Sequence, residues 1–573
     1  MAANPKPQRM PLALLPEAIG VAFWRAGTGI RCWYRRTWLY RRLLKGQLAD
    51  RIVFHPYDAL PRRLEDADAL LRARFRFNGE SVDIKEGSIF DLPPPSRDWA
   101  EALHGFAWLP PLSSAGGEAA RMLATNLISQ WLKRYSRYSE PAWLPHIAAR
   151  RLIHIFCHGR FVVTNSDMLW RSKVFVTLRE QARMLARNAG EAPEGLPRLE
   201  AAAALALSGA CLDDSPHRLE AGLARLEAEI ARQILPDGGH ISRSPEALVH
   251  AYRYVVMVMD TLAATGRNAP QGLRSAHDRI APMIRFFRHG DGALALFNGG
   301  GESDPRMIAG LLARDEVRGQ PFSYARHSGY HRLAAQRTLV LMDCGTAPPG
   351  AFSNNAHAGC LAFELSAQSQ RIVVNCGKAE GAAHVKWESA LRATAAHSTV
   401  TLANTSTAAV LGEGRARRLL GARLLGGAHE VETRRVETVK GWTVVASHDG
   451  YVRPFGIRHE RELTLSPQGL ALTGADRLLP LKGHHAAREI PFAIRFHIHP
   501  DVRLSRAQSG DVILKLPSGE GWRFRTDAPH TIEESVYLGG GAVRRCEQLV
   551  LTGAVKDAQV EVAWIFEHIE SGS

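Results

Sequence analysis

The sequence predicts a multidomain α and β chain: a helical first half followed by an antiparallel β-sandwich. Three observations carry this expectation. The chain has 573 residues, more than one ordinary core organises. Between residues 119 and 264, apolar side chains recur at three- and four-residue intervals. Beyond residue 320, short β-branched runs alternate with turn residues.

The helices follow in order. Residues 119–135 place their apolar side chains on one helical face, and 148–157, 174–188, 199–209, 219–235 and 245–264 do likewise. Ser139-Glu140-Pro141, the stretch 190–197 and Pro236-Asp237-Gly238-Gly239 break them. Ser244 suits an N-cap, with Pro245 at the first helical position. Helices joined by short loops form hairpins, which either close into a toroid or stack as a solenoid. No fixed-period repeat decides between them. The connection 299–324 is Gly-rich and charged. The expected strands after it are 338–342, 372–374, 398–402, 443–447, 462–465, 512–515 and 561–566.

Bulk chemistry narrows the partners. Hydrophobic residues make up 45% and charged residues 23%, which is globular. The formal net charge of +15 favours polyanions. Part of it is local. Residues 1–50 hold nine Lys/Arg against Glu17 and Asp50, and Arg31, Arg35, Arg36, Arg41, Arg42 and Lys45 interleave with Trp33, Tyr34, Trp38 and Tyr40. Such a segment suits an amphipathic helix docked on the next domain, or peripheral contact with a membrane surface. No recognised nucleic-acid module accompanies it, so nucleic acid is not expected as a partner. The seven cysteines are an odd number without CxxC spacing, which excludes a disulfide scaffold and points to a reducing compartment. No apolar run approaches the ~20 residues of a membrane-spanning helix. A standard secretory pattern is also lacking, so the cytoplasm is expected, with the periplasm as the alternative.

Chemistry-bearing residues cluster in one stretch. Asn354-Asn355-Ala356-His357-Ala358-Gly359-Cys360-Leu361-Ala362-Phe363-Glu364-Leu365 runs into Arg371 to Gly377, then Arg392-Ala393-Thr394-Ala395-Ala396-His397-Ser398-Thr399. Two histidines thus sit at strand–loop junctions around a buried-looking strand. With His448-Asp449-Gly450-Tyr451, Arg458-His459-Glu460-Arg461 and the Trp-rich stretch from Asp98 to Leu109, this order resembles the heparinase II/III-like polysaccharide lyases. The resemblance implies an incomplete α/α toroid over 51–320, after a basic segment 1–50, and a β-sandwich over 321–573. It also implies cleavage of an acidic, uronate-containing polysaccharide by β-elimination. That reaction needs a neutraliser for the carboxylate, a base for the C5 proton and an acid for the leaving oxygen.

The resemblance carries over residue by residue, with departures. The family's Asn-His pair falls at Leu196-Pro197-Arg198, leaving Arg198 as a substrate-binding candidate. In the turn before residue 245, His240 and Arg243 are catalytic candidates lining the cleft; a structural role in the turn is the other reading. The family's Tyr-His pair is replaced by Ala247-Leu248, so Tyr252 becomes the nearest tyrosine for acid/base work. Asn355 stands at a catalytic His position; an amide binds a carboxylate but is no base. Tyr330, Trp387 and Arg392 match positions near the substrate. His357, Asn375 and His397 match the two His and one Asp that hold a structural zinc in some relatives, with Asn replacing the charged ligand. Structural zinc is therefore the one cofactor the resemblance allows; the other reading is a hydrogen-bonded polar cluster. Catalytic loss is the alternative to lyase activity: an acidic-glycan-binding or envelope-associated scaffold.

Overall fold

The computed structural model describes residues 14–569 apart from 47–50, 60–63, 165, 213–214, 316–319, 380–381, 440, 484–487 and 541. It has an incomplete α/α toroid followed by an antiparallel β-sandwich. The toroid helices include Gly117–Tyr135, Pro145–Val163, Met168–Asn188, Leu196–Leu212, Pro216–Gln233, Pro245–Ala264 and Gln271–Phe287. Several of these start about a turn before the periodic stretches in the sequence. Asp167 caps one by accepting from Trp170 N–H, and Ser244 caps another by accepting from Ala247 N–H.

Leu196–Leu212 is alanine-rich and buried along nearly its whole length. It packs against Pro145–Val163, Pro216–Gln233 and Pro245–Ala264. The crossing with Pro216–Gln233 is close enough to demand glycine. A Cβ on Gly209 would lie 2.4 Å from the Leu219 nitrogen, and one on Gly222 would lie 2.4 Å from the Ala206 nitrogen. The Trp-rich stretch packs the toroid core, where Trp99, Trp108, Trp131 and Trp143 are all buried. Arg151 is buried among them, 4.2 Å over the Trp131 ring, donating to the carbonyls of His104 and Ala142.

In the described residues the sandwich is built on two large antiparallel sheets, and Ala408–Val410 and Leu424–Gly426 pair as a further two-stranded one. One runs Tyr324–Ala325, Tyr330–Ala335, Thr338–Asp343, Phe363–Ala367, Gln370–Val374, Ile490–Ile498, Arg544–Val555 and His530–Tyr537, with Val400–Leu402 also paired to Ile490–Ile498. The other begins with Val431–Thr438, Gly441–His448, Ile457–Leu465, Ala471–Pro480 and Val560–Ile569. Alternate residues of Ile457–Leu465 are buried, as expected for a strand with one face on a core. Phe363 stacks on Trp564 across the two sheets, 5.5 Å between centroids. The expected strand 398–402 shortens to Val400–Leu402, because the Ser398 hydroxyl turns back to donate to the Val374 carbonyl.

The described part of the basic segment forms two helices, α1 (Leu15–Arg35) and α2 (Trp38–Leu44). The helix docked on the next domain in fact rests on both domains. At its start, Glu17 pairs with Arg423 at 2.5 Å and Ala18 packs with Leu411 and Leu420 of the sandwich. At its end, Arg35 donates to Asn188 (2.8 Å) and Glu191 (2.6 Å) of the toroid.

Candidate active-site cleft

The toroid meets the sandwich through the turn that precedes Pro245–Ala264. The Asp237 carboxylate accepts from the backbone N–H groups of His327 (2.8 Å) and Ser328 (2.6 Å) and from the Ser328 hydroxyl (2.8 Å). Arg243 adopts a left-handed φ of 60°, which aims its side chain into the seam. Its guanidinium donates to the carbonyls of Ser328 (2.7 Å), Thr346 (3.0 Å) and Gly329 (3.3 Å) and pairs with Asp343. It also lies 4.7 Å from the Tyr330 ring centre. Burial disfavours the Arg243 charge, but the Asp343 carboxylate outweighs burial and keeps the group protonated. Tyr330 donates its hydroxyl to the Arg243 carbonyl at 2.6 Å. Asn298 donates to the Tyr330 oxygen and to Asp343, and accepts from His357 N–H.

A second network lies deeper. Glu364 sits on Phe363–Ala367, on the face opposite Phe363, and is buried against the toroid. It accepts from Leu296 N–H (3.0 Å) and Asn375 Nδ2 (3.1 Å), and its other oxygen meets His289 Nε2 at 2.9 Å. Burial would raise the Glu364 carboxyl, but the His289 hydrogen bond, the nearby Arg371 charge and the Leu296 N–H outweigh it and hold the group below the usual range. The Asn375 oxygen accepts from His397 Nδ1 and from Ser398 N–H, both at 3.2 Å. Of the candidate residues, Arg243 and Tyr330 are thus joined across the seam between toroid and sandwich.

This architecture is found in solved lyases. The chain aligns with heparinase III at a TM-score of 0.72 and 14% identity, covering 97% of this chain and 92% of that one. It aligns with a mutant of the heparan sulfate lyase HepC from Pedobacter heparinus at 0.62 and 15%, covering 100% and 93%. Those identities show the fold alone. In sequence, residues 317–565 match the model of the heparinase II/III-like C-terminal domain. The chain is also 34% identical over 520 residues, 89% of each protein, to FtsZ-localized protein C of Caulobacter vibrioides (strain NA1000 / CB15N). The chain belongs to the heparinase II/III-like family. The residues matched by the family model make up the sandwich.

Within that heparinase-like frame, the candidate residues do not assemble into an acid/base site. Arg243 is committed to its ion pair and three carbonyls, so it cannot neutralise a substrate carboxylate without breaking the seam. His240 is buried with both ring nitrogens engaged, Nε2 to Gln233 and Nδ1 to Ser242. Burial pulls its pKa down to about 4, so it is neutral. Tyr252 is wholly buried beside His277, and burial pushes its hydroxyl well above the usual range. Its helical phase turns it into the toroid core, which corrects the expectation of acid/base work. Tyr330 is a strut under Arg243. Trp387 packs with Cys376, Leu391 and Leu538. Arg392 is buried and donates to the carbonyls of Ala356 (2.8 Å) and Ser353 (3.0 Å), so it shapes the loop carrying Asn355. Arg198 is half-buried and donates to the Ala192 carbonyl at 3.0 Å. Asn355 is exposed. Separately, Glu246 of the toroid pairs with Lys378 of the sandwich at 2.7 Å.

A structural zinc does not fit these residues. The His357 and His397 rings lie 5.1 Å apart, and His357 Nδ1 and His397 Nε2 have no hydrogen-bond partner among the described residues. The third position, however, is a neutral amide whose oxygen already accepts two N–H groups. Among the described residues, no group of three or more His, Cys, Asp or Glu is placed to hold a metal ion. Burial instead holds both imidazoles neutral, the His397 ring at a pKa of about 3.

Residue-type reasoning missed Asp343, Asn298, His289 and Glu364, which organise the seam. A signal for the last was present. In Phe363-Glu364-Leu365-Ser366 the polar residues alternate, and His289 contacts both of them.

Proposed function

We propose that this chain is a heparinase-like scaffold that no longer performs β-elimination and works at an anionic membrane surface. The observation that carries the reading is the outer face of α1 and α2. Ile19, Phe23, Ile30 and Trp33 recur along one stripe of α1 by the 3.6-residue period, and Phe23, Ile30 and Trp33 are 76%, 72% and 70% exposed. Ala18 and Arg35 lie on the opposite, docked face. Trp38, Leu39 and Leu43 of α2 extend the exposed apolar surface, among Arg36, Arg41 and Arg42. A helix apolar on both faces, with one face covered, presents the other to a partner. Trp and Tyr interleaved with Arg suit the boundary between headgroups and acyl chains, and the net charge of +15 favours an anionic one.

The name of the Caulobacter relative places it with FtsZ, and we extend that location to this chain. A fluorescent fusion should coincide with FtsZ assemblies; diffuse fluorescence would argue against the extension. The membrane reading is tested by co-sedimenting the full chain with phosphatidylglycerol-containing vesicles. A large apolar side chain contributes about 1.5–3 kcal/mol when buried, so Phe23→Ser/Trp33→Ser/Trp38→Ser should weaken binding at least about a hundredfold. Equal binding by the triple variant would remove the reading's basis.

A further inference from the structure

We infer that the elbow between α1 and α2 is a binding site for the phosphate and glycerol of an anionic lipid headgroup. The inference rests on the membrane reading and names the ligand that the surface would take. A cavity of about 190 Å³ opens at the elbow, walled by Arg35, Arg36, Trp38, Arg41, Arg137 and Tyr138. Two separate parts of the chain supply the charge, since Arg137 follows the toroid helix Gly117–Tyr135.

The arginines have different tasks. Arg35 is spent on construction, held by Asn188 and Glu191 with its guanidinium over the Tyr138 ring. That anchor fixes the elbow. Arg36 and Arg137 are exposed, and neither has an ion-pair partner among the described residues. The acid on the wall is Glu180, 3.8 Å from Arg41, and burial pushes its carboxyl up. The lining therefore has an excess of positive charge with two uncommitted guanidinium forks. Such forks match phosphate oxygens in pairs.

Size and position select the ligand. The volume lies below the roughly 300–1,000 Å³ of a drug-sized pocket. It accommodates a phosphate with a short polyol rather than a stretch of polysaccharide. Trp38 lines the cavity and is also 68% exposed on the apolar outer face. A headgroup held there would leave its acyl chains beside that face.

The test uses the full chain and two probes. One is sn-glycerol 3-phosphate, titrated by phosphorus NMR. The other is phosphatidylglycerol–phosphatidylcholine vesicles compared with pure phosphatidylcholine vesicles. The variant is Arg36→Gln/Arg137→Gln, and Arg326→Gln/Arg545→Gln on the sandwich removes the same charge elsewhere. Thermal melts establish that both fold. The expected result is saturable binding of glycerol phosphate, weakened at least about tenfold by Arg36→Gln/Arg137→Gln. The same variant should lose the preference for phosphatidylglycerol vesicles, while the control keeps it. Vesicle binding without a glycerol phosphate signal, unchanged by Arg36→Gln/Arg137→Gln, would overturn the pocket and leave the membrane reading standing. Glycerol phosphate binding without vesicle binding would overturn the lipid as the source, and the membrane reading with it. No binding of either probe would overturn both.

Discussion

Arg243→Met is expected to destabilise the chain by about 3–5 kcal/mol, the cost of leaving a buried charge without its partner. Asp343 would keep its carboxylate in the seam with only Asn298 and the Gly345 N–H to hold it. Three backbone carbonyls would also lose a donor. Urea unfolding should therefore show a much lower midpoint, and the loss should appear as separation of toroid from sandwich. The double variant Arg243→Met/Asp343→Leu should recover much of it, because it removes the stranded charge as well. A single variant within about 1 kcal/mol of the parent would mean that the seam is held elsewhere.

Acidification should have an effect at least as large. His104, His154, His240, His331 and His497 are held neutral chiefly by burial, each with its pKa pulled down to about 4, and His397 to about 3. The unfolded chain takes up protons at these residues from near pH 6.5, while the folded chain does not until near pH 4. Stability is therefore lost as pH falls through that window. Each group contributes up to about 1.4 kcal/mol per pH unit. Because all six act in the same direction, the fall in stability should be steep across this window. Carboxylates add to the loss at lower pH. At Asp476, burial alone would raise the pKa; the Arg461 charge outweighs it and holds the group well below the usual range, so its stabilisation is lost on protonation. His459 and His448 are locked neutral beside it. Gly450 N–H donates to His448 Nδ1, leaving His448 Nε2–H to donate to His459 Nδ1, and His459 Nε2–H to Asp476. Thermal melts at pH 7.5, 6.5 and 5.5 should show a steep fall. A flat profile would mean these histidines are already charged in the fold.

Helices and strands were legible in the sequence because their signal is local. The period in 119–135 and the alternation in 462–465 each follow from one buried face. The phase of a polar residue on a helix is not local in the same way. Tyr252 and Tyr254 differ by two positions, and both are buried: Tyr252 against His277, Tyr254 donating to Glu200 at 2.7 Å. Which face meets the cleft depends on helices distant in sequence. Arg243 was misleading for a related reason. A basic residue in a Gly-rich turn reads the same whether it awaits a substrate or a buried aspartate one hundred residues later. The second docking partner of α1 was also hidden, because Arg423 and Leu420 lie in the sandwich, some four hundred residues away in sequence.

The claim on which the rest depends is that a lyase fold has committed its site positions to joining two domains. The direct measurement is the absorbance of unsaturated uronate when purified protein is incubated with heparan sulfate, heparin, alginate and hyaluronate. The expected result is no growth of that signal on any polymer, at any protein concentration. Growth proportional to protein on one of them would contradict the account and restore β-elimination to this chain.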